Sequence, residues 1–190
     1  MPALYRHFFQ AMWLSWTAYW WVSARNVKRT VRHESLPSRL SHVGPLAGAA
    51  LLFSIPNSPA SFLRARFLSS AAWSFNVAVA LTAAGLLFAV WARQYLGSNW
   101  SGTRTIKEGH ELIISGPYAR VRHPIYTGLP LAFIGSAMAI GEWRAVLAFA
   151  LASLALWRKL RLEERLMHQQ FGAAYQAYCR RVPALIPFVL

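Results

Sequence analysis

The sequence predicts an all-α integral membrane protein, a helical bundle with five transmembrane helices and a cytosolic amphipathic C-terminal helix. Three observations predict this fold. Of the 190 residues, 56% are hydrophobic, and the mean hydropathy of +0.30 is high for a soluble domain of this length. The apolar residues are gathered into five stretches. The basic residues bracket those stretches, as they do in membrane proteins.

The five apolar stretches lie near residues 8–24, 40–56, 71–92, 124–140 and 143–159. Each is close to or above the roughly 17 residues that a helix needs to cross a bilayer. None of them alternates as the strands of a barrel do, and a chain in hydrocarbon must satisfy its own backbone hydrogen bonds. Each stretch therefore predicts a helix, and the short loops between them predict that residues 1–190 form a single domain.

The basic residues predict the topology. Sixteen of the twenty Lys and Arg residues fall in segments on one side of the bundle, and the other side holds only Arg6, Arg64, Arg66 and Arg144. Because cytoplasmic loops retain positive charge, the N-terminus is expected outside and the C-terminus in the cytosol. The fourth and fifth stretches are joined by residues 141–143 alone. This tight hairpin is expected to bring the loop that ends at His123 beside the tail that begins near Arg158.

The composition also argues against several classes of protein. A formal charge of +14 would suggest nucleic-acid binding in a soluble protein, but here the charge follows the membrane pattern, so no nucleic-acid partner is expected. The single cysteine, Cys179, rules out an internal disulfide and fits neither a zinc site nor a redox pair. No cluster of metal-ligating residues is visible in the sequence, so no metal is expected.

Residues 116–128 (GPYARVRHPIYTG) form the first segment of chemical interest. Pro124 is well placed in the first turn of the fourth helix, where its missing N–H costs nothing. The free amides of that helix start, beside Arg122 and His123, would suit an anion such as a carboxylate. Arg, His and Tyr are equally common as anchors at lipid headgroups, so the local chemistry leaves both interpretations open.

The second segment is the tail, residues 160–178, which has the period of an amphipathic helix. Its apolar stripe consists of Leu160, Met167, Phe171, Ala174 and Tyr178. The opposite side carries Arg161, Arg165, Gln169 and Gln176. At about 100° per residue, Glu163 and Glu164 fall within the apolar stripe, where a carboxylate is costly unless it meets a partner.

Two explanations of the glutamate pair remain open on the residues alone. In the structural one, Lys159 and Arg122 neutralise the two carboxylates. In the functional one, the double carboxylate holds a ligand with cationic groups and hydroxyls. Such groups are the ammonium, sulfonium and ribose hydroxyls of S-adenosylmethionine.

Taken in order, the motifs of the two segments closely resemble those of the isoprenylcysteine carboxyl methyltransferase family. The motifs are Gly116-Pro117-Tyr118, Arg122-His123-Pro124-x-Tyr126-x-Gly128, Glu163-Glu164-x-x-Leu166, Phe171-Gly172-x-x-Tyr175-x-x-Tyr178 and Val182-Pro183-x-Leu185-Ile186-Pro187. Phospholipid N-methyltransferases share this core. The resemblance runs from about Arg93 to the C-terminus, and the first two apolar stretches do not contribute to it.

The resemblance implies a membrane methyltransferase that binds S-adenosyl-L-methionine in a cytosolic pocket closed by the tail helix, with residues 93–190 as the catalytic core. The residues that it assigns to the cofactor are His110, Leu112, Ile113, Tyr118, His123, Pro124, Ile125, Tyr126, Glu163 and Glu164. No glycine-rich nucleotide-binding turn follows a strand anywhere in the chain. The expected pocket is therefore built from helices and loops.

The acceptor implied by the resemblance is amphipathic or lipid-like, and it enters from the bilayer with its polar head near Arg122 and Lys159. Carboxylate methylation of the isoprenylcysteine type is favoured, and the alternative is methylation of a phospholipid amine. Lys159 stands where the prenylcysteine enzymes have arginine, so Arg158 or Arg161 could take over the carboxylate, which lysine cannot grip with two parallel bonds. Arg122, Lys159 and Arg161 are the residues expected at the reacting end of the acceptor.

Two rival functions belong to other classes. A membrane reductase that uses NADPH would have to hold additional phosphate, which the two glutamates would repel. A membrane scaffold without activity would have no use for two carboxylates on an apolar stripe.

Overall fold

The computed structural model describes residues 3–25, 30–32, 35–54, 61–69, 71–97, 100, 106–107 and 112–187. Its helices are α1 (Ala3–Ser23), α2 (Leu36–Ser54), α3 (Ser61–Arg64), α4 (Ala72–Leu96), α5 (Pro124–Ile140) and α6 (Trp143–Cys179). Strands β1 (Thr30–Arg32) and β2 (Ile106–Lys107) form a small antiparallel sheet that an all-α prediction did not include. The helical character of the fold is confirmed.

The five long helices overlap the five predicted stretches, and α5 has the predicted bounds. By length and composition, α4 is the helix among the described residues that is long and apolar enough to cross a membrane, and α5 is a shorter apolar helix. The count of five membrane crossings thus stays a prediction.

Helices α4 and α5 pack with their backbones in close approach, because glycines face each other across the contact. A Cβ atom built on Gly85 would lie 2.4 Å from the carbonyl oxygen of Gly128, and one built on Gly128 would lie 2.5 Å from that of Gly85. Thr82, which is fully buried, donates its hydroxyl to the carbonyl of Ala132 at 3.3 Å. Small residues that allow close backbone contact are typical of packed membrane helices.

Helices α2 and α6 run antiparallel. Near the cytosolic end predicted from charge, Arg158 donates to the hydroxyl of Ser41 at 2.6 Å. At the other end, Arg144 donates to the carbonyl of Leu52 at 2.7 Å and to Glu142 at 2.6 Å. One of the few basic residues of the predicted outer side therefore neutralises the C-terminal end of α2, where carbonyls lack helical partners.

Helix α1 lies along α4 and against α5. The ring of Phe9 is 5.9 Å from that of Phe75, and Trp13 stacks on Phe133 at 5.1 Å. The indole of Trp13 also donates to the hydroxyl of Ser136 at 3.0 Å. These contacts place α1 parallel to α4 and antiparallel to α5.

Helix α6 joins the fifth predicted stretch to the predicted tail helix. It runs from the hairpin, where Gly141 has the left-handed φ of 67°, to Cys179, with one break in its helical geometry. Its kink is at Gly172, whose φ of 49° and ψ of −120° are not helical. This kink rotates the residues that follow, so Tyr175 is buried and Ala174, which was predicted for the stripe, is exposed.

Candidate functional site

The start of α5 is where the tail folds back onto the core. The amide of Arg122 donates to the carbonyl of Pro183 at 2.9 Å, and the amide of His123 donates to that of Ala184 at 3.0 Å. The hydroxyl of Thr127 donates to the carbonyl of Leu185 at 2.6 Å. The amides of Arg122 and His123 are therefore occupied by the tail. The expectation that the free amides of the first turn of α5 suit an anion stays a prediction.

The side chain of Arg122 joins three parts of the tail. Its Nε and Nη2 donate to Oε1 of Glu164 at 3.0 and 2.8 Å. Its Nη1 donates to the carbonyls of Cys179 and Val182 at 3.2 and 2.6 Å. Burial lowers the pKa of Arg122, but the hydrogen bond and charge of Glu164 outweigh it and raise that pKa. Because all three nitrogens already donate, this geometry suits a residue that positions Glu164 and the tail.

Glu164 is the half-buried centre of this network, and its side chain is 17% exposed. Besides Arg122, its Oε1 lies 3.2 Å from Nε2 of His123 and accepts from the hydroxyl of Tyr175 at 3.4 Å. Burial alone would raise the pKa of Glu164, but the hydrogen bonds and charges of His123 and Arg122 lower it to about 2. This carboxylate is therefore ionised at neutral pH.

Glu163 faces a different set of partners. The hydroxyl of Tyr126 donates to its Oε1 at 2.5 Å, and Nζ of Lys159 lies 3.9 Å from the same oxygen. Lys159 also lies over the ring of Tyr126, 5.7 Å from its centre. Glu163 is thus not the unpaired carboxylate that its position on an apolar stripe suggested.

The two explanations of the glutamate pair are compatible in this geometry. Arg122 and Lys159 do lie against Glu164 and Glu163, as the structural explanation expected. Yet every contact found for either carboxylate within the described ranges uses Oε1. Both Oε2 atoms therefore remain as acceptors for a ligand with N–H or O–H donors, and S-adenosylmethionine has such donors.

The other cofactor residues predicted from the sequence lie around this pair. Tyr118 is buried, its hydroxyl is 3.5 Å from the carbonyl of Ala92, and its own carbonyl accepts from Tyr178 at 2.5 Å. Burial first, and then the charge of Glu163, raise the pKa of Tyr118 well above its usual value. Pro124 and Ile125 are buried in the first turn of α5, Ile113 packs on the core beside them, and Leu112 packs on the tail tyrosines.

Of the two predicted site residues that remain, His110 lies outside the described residues. Arg161 is exposed, and its guanidinium lies over the ring of Trp157 at 5.8 Å. None of the contacts found for Glu163 and Glu164 among the described residues involves Arg161.

The sequence prediction of the site omitted Thr127, Tyr175 and the carbonyls of residues 183–185. Tyr175 belongs to one of the motifs given above, and it lies eleven residues after Glu164, a spacing that places both on one side of a helix. This spacing could have identified Tyr175 as a site residue from the sequence. The tail carbonyls have no side-chain signature, so only the folded backbone identifies them.

Comparison with known proteins adds an independent observation. A model of the family described as phospholipid methyltransferase matches residues 73–174, just over half of the chain. The matched segment contains α4, α5 and both glutamates of the site.

Individual relatives each match less than half of the chain. A protein-S-isoprenylcysteine O-methyltransferase of Schizosaccharomyces pombe is 36% identical over 84 residues, which cover 42% of this chain and 34% of that protein. Methanethiol S-methyltransferase 2 of Bradyrhizobium diazoefficiens is 47% identical over 72 residues, which cover 37% of this chain and 26% of that protein. The matches thus span about a third or less of these curated relatives.

A solved structure shares the fold. The eukaryotic intramembrane Ras methyltransferase, an isoprenylcysteine carboxyl methyltransferase, aligns with a TM-score of 0.53 and 23% identity. The alignment covers 84% of this chain and 55% of that one.

Proposed function

The chain belongs to the phospholipid methyltransferase family, and from this premise we propose that it is an S-adenosylmethionine-dependent methyltransferase that acts on an amphipathic acceptor at the membrane–cytosol interface. The observation that carries the proposal is the glutamate pair of α6, which lies against the start of α5. Glu164 is fixed by Arg122 and His123, and Glu163 by Tyr126. These contacts preorganise two carboxylates whose second oxygens can accept hydrogen bonds.

The cofactor would be held by the residues around that pair. The Oε2 atoms of Glu163 and Glu164 would accept from its ammonium group or ribose hydroxyls, and their negative charge would favour its sulfonium. Tyr118, His123, Pro124, Ile125 and Tyr126 would form the wall on the α5 side, with Leu112 and Ile113 beside them and His110 as a further expected contact. A bound cofactor supplies an electrophilic methyl group.

For methyl transfer, the main task of the protein is to align the acceptor with the methyl group. With S-adenosylmethionine held by Glu163 and Glu164, a carboxylate oxygen of the acceptor would form the new O–CH3 bond as the C–S bond broke and its electron pair went to sulfur. No proton is lost, so no general base is required. An amine acceptor must lose a proton, and His123 or Glu163 could accept it. The residues of the site act by proximity and by excluding water.

The acceptor that we favour is a prenylated cysteine carboxylate, the substrate class named for the S. pombe relative. Lys159 lies 3.9 Å from Glu163 and is a basic residue beside which such a carboxylate would bind. A thiol is a second candidate, because the methanethiol methyltransferase shares 47% identity over its matched segment. A phospholipid amine is the third, in keeping with the family name.

We place the site at the cytosolic face of a five-span bundle whose lipid contacts come from its exposed apolar side chains. The contacts between helices support this placement, since α1, α4 and α6 run in one direction and α2 and α5 in the other. At 1.5 Å per residue, the part of α6 that precedes the kink at Gly172 is about 43 Å long. The hydrocarbon core is only about 30 Å thick. The end of α6 that carries Glu163 and Glu164 would therefore project from the membrane.

The test is methyl transfer by the purified protein in detergent. It is incubated with radiolabelled S-adenosylmethionine and, in separate reactions, an S-prenylcysteine, a phospholipid amine and a small thiol, followed by extraction and counting. Label in the prenylcysteine reaction supports the favoured acceptor, and label in another reaction replaces it. Absence of transfer to all three, with unchanged melting temperature in S-adenosylhomocysteine, would contradict the proposal. Stabilisation by NADPH instead would support the reductase.

A further inference from the structure

Arg93 is a buried cation in the last turn of α4, 3% exposed. Its Nη2 donates to the carbonyl of Ser23 at 2.6 Å and its Nη1 to the carbonyl of Gly97 at 2.7 Å. Its guanidinium carbon lies 4.4 Å from the centre of the Trp100 ring. These contacts tie the end of α1 to the end of α4, but all three partners are neutral.

No acid neutralises Arg93 in the part of the chain that the structure describes. Glu142 pairs with Arg144, Glu163 with Lys159, and Glu164 with Arg122. The sequence has no aspartate. The Nε atom of Arg93 is buried and has no hydrogen-bond partner among the described residues. Burying a cation with an unpaired N–H group costs free energy unless an anion binds to it.

The surroundings of Arg93 are aromatic. Trp100 meets Trp20 edge to face at 5.5 Å, and Trp20 stacks on Trp16 at 4.6 Å. The indole N–H of Trp16 is a second buried donor for which the described residues provide no partner. An anion that reaches Arg93 must therefore bring an apolar body to lie against these rings. Such a ligand is an amphiphile.

Arg93 is close to the glutamate site. The preceding residue, Ala92, offers its carbonyl to the hydroxyl of Tyr118 at 3.5 Å. Trp16, Trp20 and Trp100 pack against the same buried cluster that contains Tyr118 and Tyr126. Tyr126 in turn donates to Glu163. One layer of tyrosines thus separates the cation from the carboxylates.

We propose that Arg93 and the row of Trp16, Trp20 and Trp100 form the site that receives the carboxylate headgroup of the acceptor. This inference rests on the proposed function and names a residue outside its predicted site. Arg122 has all its nitrogens engaged, Arg161 is exposed, and Lys159 lies against Glu163. Arg93 has a buried charge with no acid beside it among the residues that the structure describes.

The test compares two ligands that differ in one charge. Binding of an N-acetylated S-prenylcysteine and of its methyl ester is measured by calorimetry on the full chain in detergent, with S-adenosylhomocysteine present so that no turnover occurs. The wild type should prefer the acid by at least tenfold. Arg93→Gln should weaken binding of the acid about 30-fold, which is at the lower end of the effect of breaking a buried charge pair. The ester should change less than threefold. Arg93→Lys should keep part of the preference.

Controls separate charge recognition from damage to the helix junction. Trp20→Leu disturbs the same junction but keeps the guanidinium, so it should weaken acid and ester alike. Arg165→Gln removes an exposed charge of α6 and should leave the preference unchanged. Melting temperatures identify any variant that fails to fold, and Arg93→Lys then carries the test.

Two results would overturn the inference. If Arg93→Gln weakens binding of the acid and of the ester by the same factor, the role of Arg93 is only to connect α1 and α4. If it weakens S-adenosylhomocysteine and leaves the acid preference intact, the anion is the cofactor's carboxylate. A wild type that prefers the acid through Arg93 but transfers no methyl group would instead overturn the proposed function and leave this site standing.

Discussion

At the scale of single residues, Glu163 and Glu164 are adjacent in the chain but have different partners. Glu164 contacts a guanidinium and an imidazole, and Glu163 contacts a phenol and a more distant ammonium. The sequence was sufficient to identify both glutamates as unusual, because they fall on an apolar stripe. One of its two explanations named Arg122 and Lys159 as partners, but it could not assign His123 and Tyr126, which reach the pair from the start of α5.

Replacing Glu163 with Gln should weaken S-adenosylmethionine at least as much as S-adenosylhomocysteine, because only the first carries the sulfonium charge. Tyr126 can still donate to the amide oxygen, so the fold should survive. Calorimetry with both ligands measures the effect, and Glu142→Gln, at the opposite end of the bundle, is the matched control. Unchanged affinity for both ligands would mean that Glu163 is structural.

The depressed pKa of Glu164 predicts a pH dependence of stability. The pKa falls from its ordinary 4.5 to about 2 on folding, so the folded state favours the ionised form. Its stabilisation is complete above about pH 4.5 and is lost as the pH falls towards 2. The melting temperature of the wild type should exceed that of Glu164→Gln at pH 6, and the difference should shrink by pH 3. A difference independent of pH would contradict this account.

At the scale of elements, the sequence was most informative where structure is local. Pro124 and Gly141 mark both ends of α5, and the hairpin follows from the short link after it. The phase of the tail helix could not be predicted past Gly172, because glycine is compatible with a helix as well as with the kink found there. The pairing of the tail with residues 122–127 depends on backbone carbonyls, which any residue provides.

The glycine contact between α4 and α5 predicts a large difference between two similar substitutions. Gly85→Ala would place a methyl group 2.4 Å from the carbonyl oxygen of Gly128, and a backbone atom cannot move aside cheaply. It should destabilise the protein by about 1–3 kcal/mol, as overpacking does. Gly48→Ala in α2 meets only Leu151 at 4.0 Å and should be neutral or stabilising. Thermal melting in detergent compares them, and equal melting temperatures would contradict the packing.

The tail predicts the effect of a short truncation. A chain that ends at Arg181 lacks the carbonyls that accept from Arg122, His123 and Thr127. It should bind S-adenosylhomocysteine at least about tenfold more weakly, since four hydrogen bonds of roughly 1 kcal/mol each hold that segment. Its helix content by circular dichroism should be unchanged. A chain that ends at Pro187 is the control, and full affinity in the shorter chain would show that the tail is dispensable.

At the scale of the whole molecule, the distribution of basic residues and the directions of the helices are consistent with the same topology. The direction of each long helix alternates with its neighbour in the chain if α3 is passed over. Arg66 and Arg144, on the predicted outer side, bind the C-terminal carbonyls of α5 and α2. These two basic residues of the predicted outer side therefore have a local role as caps of helix C-termini. The sequence alone gives their number on that side but not this role.

The topology is tested with reporters that work on one side of the membrane. A reporter that folds only in the cytosol should be active after Leu190 and inactive when the chain is cut and fused after Arg66, before α4 begins. The sixteen basic residues on the first side are the reason. Activity at Arg66 and none at Leu190 would invert the bundle and place the glutamate pair outside.

The return of the tail also has a consequence for biosynthesis. Arg122 and its partner carbonyl at Val182 are 60 residues apart in the chain. At a synthesis rate of about 5–20 residues per second, this separation corresponds to roughly 3–12 seconds of translation. During that interval Arg122 is present on the nascent chain without its C-terminal partners. A ribosome that stalls in this interval therefore leaves a chain in which Arg122 has been made, while α5 and α6 are absent or incomplete and the carbonyl of Val182 is missing.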